Sequence, residues 1–558
     1  MAATLIAAGA GALLSIRLDE PGWFDNEGRF AEVAREMIVR GDYVTPHVNG
    51  YPLLTKPPLT QWLAAIVYAV TGPSEWGRLV PVAAAMATIF LVCRLGARLY
   101  DVATGLVAGL MLATTIGFVL EARTLRPDCL VILAVTGAIF AWHVAETGPP
   151  ARRFRWLVVM YATLGTGMLA KGFVPPLLAA PPIAFATLQA HGVRGIARLR
   201  PGLGIAIVVA ILLPWHLAAS LQNPGFAWDY VVNQHLLFAL DKKVPRDSDG
   251  DTLAFFWQAF LGRGSPWVLL APLALAEGAR GLARRGPTPA TTFLWTWIGG
   301  ILLLFSLTPS RLEHYSLPAL PAVALLAARV WRRAATEGMA PGLRAWTTLL
   351  GLVLLGGGVA GLLMGPHLAA DAYWMPQAPA LMALIRPAAV VACVAGALFV
   401  VAAVVRSANG IVGAWVIGGT PFLTILVLAL IEAEALFSWR PVARALAPLP
   451  ADTEVVFQAP VEYQIVGALD FYLGRSVTML EPKGGYTPPA YLAGRMDGMF
   501  ITNDELERRW RSGRPLAIVS DPQRRRDDAR GLVPEPYYVL ARFGDRWVLT
   551  NFLVPSAL

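Results

Sequence analysis

"WFDNEGRFAEVAREMIVRGDYV", Trp23 to Val44, packs Asp25, Glu27, Arg29, Glu32, Arg35, Glu36, Arg40 and Asp42 into one short stretch between apolar segments. From Phe30 onward, Phe30, Val33, Ala34, Met37 and Ile38 recur at the i, i+3, i+4, i+7, i+8 spacing of one helical face. Arg29–Glu32, Glu32–Arg35 and Glu36–Arg40 stand at pairing distance on the other side. Asp25 and Asn26 can cap the start, and Gly41 follows the end. The pattern predicts an amphipathic helix lying at a membrane interface, apolar side toward lipid or bundle, with most of its charges solvating the opposite side. Asp25 differs from the rest: it stands just before the helix, where its side chain can point into the space above the spans.

The surrounding chain is of the membrane class. Its 558 residues are 56% hydrophobic and 15% charged, with a mean hydropathy of +0.55. Apolar length predicts about thirteen spans, each needing ~20 residues to cross ~30 Å of hydrocarbon. They centre near residues 9, 88, 111, 137, 162, 182, 210, 273, 298, 322, 353, 393 and 421. Alternate loops carry Arg94 and Arg98, Arg152 to Arg155, Arg194 to Arg200, Arg280 to Arg285, Arg329 to Arg344, and Arg406. That bias places those loops and the N-terminus in the cytoplasm, and it places loops 17–78 and 221–263 and the C-terminal tail outside. The net charge of +9 is therefore a topology signal, and nucleic acid is excluded as a partner. Cys93, Cys129 and Cys393 lie inside apolar runs, without the spacing of a zinc site or a disulfide framework.

After Phe437 the composition changes. "TEVVFQ", "SVTML" and "PLAIVS" read as short strands, "NDELERRWRSG" as a polar helix, and "YYVLARFGDRWVLTNF" as a hairpin turning at Gly544-Asp545. The expected organisation is a membrane domain over residues 1–436 and a small outward α/β domain over 437–558. The first outer loop holds a second short helix, "LTQWLAAIVYAV", after the Lys56-Pro57-Pro58 break.

The first loop also carries the most specific motif. "NEGRFAEVAREM", "GDY", "NG" and "KPPL" follow in that order, with "LRPDCL" around Asp128, "AKGF" at 170–173, "NPGFAWDYVVNQH" at 223–235, "RLEHYSLP" at 311–318 and "LDFYLGR" in the tail. This constellation resembles the GT-C membrane glycosyltransferases, in particular the aminoarabinose transferase and dolichyl-phosphate-mannose–protein mannosyltransferase branch. The resemblance implies a mainly α, polytopic GT-C fold. It also implies an enzyme of the bacterial inner membrane that takes a sugar from a polyprenyl (undecaprenyl) phosphate. The sugar would pass with inversion to a lipid A-like lipid, glycolipid, glycan or protein on the periplasmic side. No Gly-rich phosphate loop or dinucleotide pattern is present, in keeping with a donor that is not a nucleotide.

Such chemistry needs cations where the departing phosphate gains charge and a carboxylate near the attacking hydroxyl. On that basis Asp25 and Asp128 are the expected catalytic carboxylates. Arg29, Glu27, Lys56, Tyr315, Lys171, His235, Lys242 and Lys243 are the expected substrate contacts. Asn26 stands where the family usually has Asp, Thr55 where the aminoarabinose branch has a metal-associated Glu, and Phe238 where it has Arg. No metal ligand set is assigned and no cofactor is firmly expected, a divalent metal being left open. The competing reading is a multi-span transporter or lipid flippase. It predicts paired halves with charges near the bilayer midplane, whereas no internal repeat is evident and the charges gather at span ends.

Overall fold

Each apolar run read as a span lies on a helix. The structure, a computed structural model, describes residues 1–238, 240–244, 250–276, 289–371, 379–458, 463–482, 486–520, 533–544 and 546–554; the side chains of residues 25, 26, 289, 366 and 368–371 fall outside that description. The principal helices of the first part are α1 (Ala2–Leu14), α2 (Asp25–Arg40), α3 (Leu59–Thr71), α4 (Leu79–Leu99), α5 (Val102–Ala113), α6 (Asp128–Thr147), α7 (Arg153–Lys171), α8 (Val174–His191) and α9 (Pro201–Gln222). Then come α10 (Leu253–Arg263), α11 (Pro289–Leu307), α12 (Leu320–Glu337), α13 (Pro341–Asp371), α14 (Ile385–Val404) and α15 (Ala408–Glu432).

Among the described residues, seven helices are long and apolar enough to cross a membrane unaided, and an eighth span arises if α10 and the helix after it, bent by 98°, count as one. The expectation of about thirteen rested on apolar runs alone. Other runs give helices shorter than that measure: α1 and α5 have 13 and 12 residues, against the ~20 that ~30 Å takes at ~1.5 Å per residue. Others, such as α7 and α12, carry arginines at their ends. The helices pack through small residues: a Cβ at Gly96 of α4 would come 2.7 Å from the Cα of Gly105 in α5.

The first outer loop is held by one buried ion pair. Arg78, 0% exposed, donates through Nε and Nη2 to both carboxylate oxygens of Glu27 at 2.7 Å. It also reaches the backbone oxygens of Leu18, Pro21 and Gly22 and lies over the Trp23 ring. Glu27 also accepts from the backbone N–H of Leu125 at 2.7 Å. Glu27, expected at the substrate, is therefore a buried strut, because its position in the first turn of α2 faces the start of α4 rather than the outer space.

The tail forms a six-stranded sheet, preceded in the chain by a small hairpin of β1 (His47–Val48) and β2 (Tyr51–Pro52) in the first loop. Its strands β3 (Glu454–Gln458), β4 (Thr478–Leu480), β5 (Phe500–Ile501), β6 (Leu516–Ser520), β7 (Tyr538–Phe543) and β8 (Arg546–Thr550) take the order β5-β4-β3-β6-β8-β7. The first four strands run parallel, and β7–β8 is the expected antiparallel hairpin, with Gly544 at φ +61°.

This sheet domain sits directly on α2. The short helix α16 (Gly467–Leu473) approaches so closely that a Cβ at Gly28 would fall 2.1 Å from that of Ala468. Asn49, at φ +52°, exchanges two hydrogen bonds with the backbone of Val477, at 3.0 and 2.9 Å. The charged side of α2, expected to face water, is thereby covered: Glu32 is 1% and Glu36 4% exposed. Burial pushes the Glu32 carboxyl up to about 7 even though Arg35 pairs with it and pulls the other way. Burial likewise pushes Asp470 of α16 well above the usual carboxylate range, with Glu32 and Glu36 adding to the shift.

Glu27→Gln, which leaves the Arg78 charge buried and uncompensated, is expected to cost about 3–5 kcal/mol of stability, measured by thermal unfolding in detergent. The seam beneath the sheet domain should respond to pH. The folded state holds the Glu32 proton more tightly than the unfolded chain, so its contribution is fully present below about pH 4.5 and lost as pH rises through about 7. Raising pH from about 5 to about 8 should lower the unfolding temperature, and Glu32→Gln should flatten that dependence.

Candidate active site

Between the first loop, the outer ends of the spans and the sheet domain lies a cavity of about 230 Å³. Six segments supply the polar wall groups described next. Arg29 projects from the first turns of α2, while Thr55 and Lys56 come from the extended segment that Pro57 and Pro58 hold rigid. Arg126 and Asp128 begin α6. Lys171 ends α7, where Gly172 at φ +61° reverses the chain toward α8. Ser310, His314 and Tyr315 come from the segment before α12, and Gln464 from the sheet domain.

Arg29, Lys56, Asp128, Lys171, Lys243 and Tyr315, drawn from six distant parts of the sequence, meet in this one cavity. Lys171 Nζ donates to Asp128 Oδ1 at 2.6 Å and stands 4.8 Å from the Tyr315 ring centroid. The lysine is thus held against an aromatic face and a carboxylate, both of which stabilise its charge. Arg126 pairs with Glu121 at 2.5 Å, Arg263 reaches both Glu121 at 3.9 Å and Glu313 at 2.9 Å, and the Nδ1 of His314 lies 3.4 Å from Glu313. Burial opposes the charge on Glu313, but His314 and Arg263 outweigh it and hold its carboxyl down at about 2.

Three expected contacts are placed elsewhere. Glu27 is the strut of the first loop described above. His235 lies in a stretch of π-helix, Asp229–Leu237, and turns Nδ1 back to the carbonyl of Tyr230 at 2.6 Å. Its ring packs against Phe173 and Tyr230, close above Gly172, where a Cβ would meet Nε2 at 2.7 Å. Burial lowers its proton affinity, so it braces the Lys171 turn as a packed, hydrogen-bonded ring. Lys242 is exposed beside the cavity, and the neighbouring Lys243 lines it. The side chain of Asp25 lies outside the described residues. No group of three His, Cys, Asp or Glu positioned to hold a metal ion occurs among the described residues.

Sequence reading missed Arg126, Glu121, Arg263, Glu313 and Gln464. Arg126 sits two residues before Asp128 in "LRPDCL" and was within reach. Arg263 and Glu313 are 50 residues apart and meet only in three dimensions.

Known proteins resemble this chain in sequence and in fold. Residues 55–217 match the family model of dolichyl-phosphate-mannose-protein mannosyltransferase. An undecaprenyl phosphate-alpha-4-amino-4-deoxy-L-arabinose arabinosyl transferase of Pseudomonas savastanoi pv. phaseolicola is 29% identical over 60% of this chain and 62% of its own length. One of the same name from Pectobacterium atrosepticum is 28% identical over 94% and 93%. For the relatives from P. savastanoi and Serratia proteamaculans the match spans little more than half of their own length, 62% and 54%. Among solved structures, ArnT from Cupriavidus metallidurans bound to undecaprenyl phosphate superposes with a TM-score of 0.77 at 22% identity, covering 99% of this chain and 98% of that one.

Breaking the Lys171–Asp128 pair is expected to cost about 3–5 kcal/mol in Lys171→Met, much of it recovered when Asp128→Asn is added, because the penalty is the stranded charge. A double-mutant cycle of thermal unfolding measures both. With this fold and its patterned first loop, the chain is a multi-pass membrane protein with the GT-C fold, similar in sequence to aminoarabinose transferases and, over residues 55–217, to the protein mannosyltransferase family.

Proposed function

We propose that the protein transfers a sugar from a polyprenyl phosphate, of the undecaprenyl class, to a lipid A-like lipid, glycolipid, glycan or protein acceptor. The observation that carries this reading is the cavity in which Arg29, Lys56, Arg126, Lys171 and Lys243 converge at the outer ends of the spans. Five cations at a membrane boundary suit a lipid-borne phosphate better than a neutral solute, because ion pairing there is little screened by water. The names of the relatives and the lipid phosphate bound by the Cupriavidus protein support the same class of donor.

In the proposed reaction the acceptor oxygen attacks the anomeric carbon from the face opposite the phosphate. The carbon–oxygen bond to the phosphate breaks, its electron pair stays on the departing polyprenyl phosphate, and the configuration inverts. Lys56, fixed by the two prolines after it, holds that phosphate as its charge grows, with Arg29, Lys243 and Tyr315 beside it. Asp25 orients the acceptor. The basic loops read as cytoplasmic put this cavity and the sheet domain on the periplasmic side of a bacterial inner membrane, with the N-terminus in the cytoplasm.

Lys56→Ala is expected to reduce transfer from a radiolabelled undecaprenyl-phosphate sugar by about a hundredfold or more, and Asp25→Asn by less. Equal rates for wild type and both variants would sink the assignment. Mass spectrometry of envelope lipids and glycans with and without the gene identifies sugar and acceptor by the mass lost.

A further inference from the structure

The transferase reading leaves one step without an assigned group among the described residues: the proton of a hydroxyl acceptor has to go somewhere. Asp128 faces the cavity, but its Oδ1 already accepts from Lys171 at 2.6 Å. Beside it stands His314, 8% exposed, lining the same cavity. Its Nε2 lies 3.8 Å from Asp128 Oδ1, and its Nδ1 is turned to the Glu313 carboxylate at 3.4 Å. Glu313 is itself gripped by Arg263 at 2.9 Å, from a different helix.

We propose that His314 is the proton acceptor of the reaction, and that Glu313 and Arg263 are its positioning residues. The proposal rests on the transferase reading and assigns it a base. A carboxylate at Nδ1 keeps that nitrogen protonated in the neutral ring, so the lone pair sits on Nε2, at the cavity. The acceptor O–H gives its proton to Nε2 as the oxygen bonds to the anomeric carbon and the sugar–phosphate bond breaks toward the phosphate. The imidazolium that forms lies between two carboxylates, Asp128 and Glu313, which stabilise it without moving. The imidazole packs edge-on against Tyr315, with ring centroids 4.9 Å apart at 83°.

Among the described residues, charged and titratable groups from several segments surround this ring. They are Asp128 on α6, Lys171 at the end of α7, Arg263 on α10, Arg126 before α6, and Glu313 and Tyr315 on its own turn. Asp251 adds a carboxyl on the Glu313 side.

The test uses the full chain in liposomes, with labelled undecaprenyl-phosphate glucose and labelled undecaprenyl-phosphate aminoarabinose as donors and an envelope lipid extract as acceptor source. Undecaprenyl phosphate alone serves as the binding probe. His314→Gln is expected to lower kcat about a hundredfold or more, to abolish the acid limb of the pH–rate profile, and to change undecaprenyl phosphate affinity less than about threefold. Glu313→Gln should lower kcat about tenfold and move that limb to lower pH, because the lost carboxylate no longer favours the imidazolium. A His314→Gln protein with wild-type kcat and an unchanged acid limb overturns the proposal. So does one that loses undecaprenyl phosphate binding in step with rate, which would make His314 a phosphate contact. If wild type transfers neither label while the lipid phosphate binds, it is the transferase reading that fails.

Discussion

Removing the guanidinium of Arg78 from water has a large cost, and the structure meets it by surrounding that group with acceptors. Two carboxylate oxygens and three backbone carbonyls saturate it, and an indole ring covers its face. Such a site stabilises less than it specifies, since a buried pair is favourable only when every donor is matched. What it specifies is the geometry of the outer surface. Glu27 is shared with the Leu125 amide, so the start of α2 and the entry to α6 are set by one carboxylate. Arg29 lies half a turn beyond Glu27, and Arg126 and Asp128 follow Leu125 directly. Cavity groups from both sides thereby inherit their spacing from an interaction that never touches the cavity.

The second wall is built by close backbone approach. Gly28 has no room for a side chain because Ala468 occupies it, and the reverse holds for Gly467 against the Arg29 backbone, where a Cβ would come within 2.9 Å. Arg29 is therefore fixed from behind by the same contact that brings Gln464, three residues before Gly467, to the cavity. The sheet domain is a structural part of the chamber, not a tethered appendage. Membrane helices supply Lys171 and Asp128, the interfacial loop supplies Arg29 and Lys56, and the soluble segment closes the remaining side.

Much of this was legible in the sequence. The stripe of Phe30, Val33, Ala34 and Met37 is buried as the periodicity implied, and Gly41 ends α2 in the left-handed conformation. Three tail strands, the polar helix and the hairpin fall close to the expected positions. What was not legible has a common cause. Periodicity reports which residues of a helix avoid water in its own neighbourhood, and it cannot foresee a partner more than four hundred residues away. Glu32 and Glu36 look like solvated charges for that reason, and the sheet domain buries them. The reach of Arg263 to Glu313 and Glu121 was hidden likewise, because salt bridges leave no local pattern when their members lie on separate segments. Apolar composition measures avoidance of water, and a helix packed among others avoids water as well as one in lipid, so composition alone does not fix the number of spans.

The paired hydrogen bonds between Asn49 and Val477 join residues 428 positions apart. A ribosome releases the first of these long before the second, so during synthesis the amphipathic helix and its hairpin exist without their cover. In that interval the acids of α2 are wet and ionised, and its surface remains hydrated and soluble. Only when the last strands emerge and settle does the surface dry and the chamber acquire its final wall. The wall that the sheet domain adds to the cavity, Gln464 included, is therefore the last part of the chain to be made.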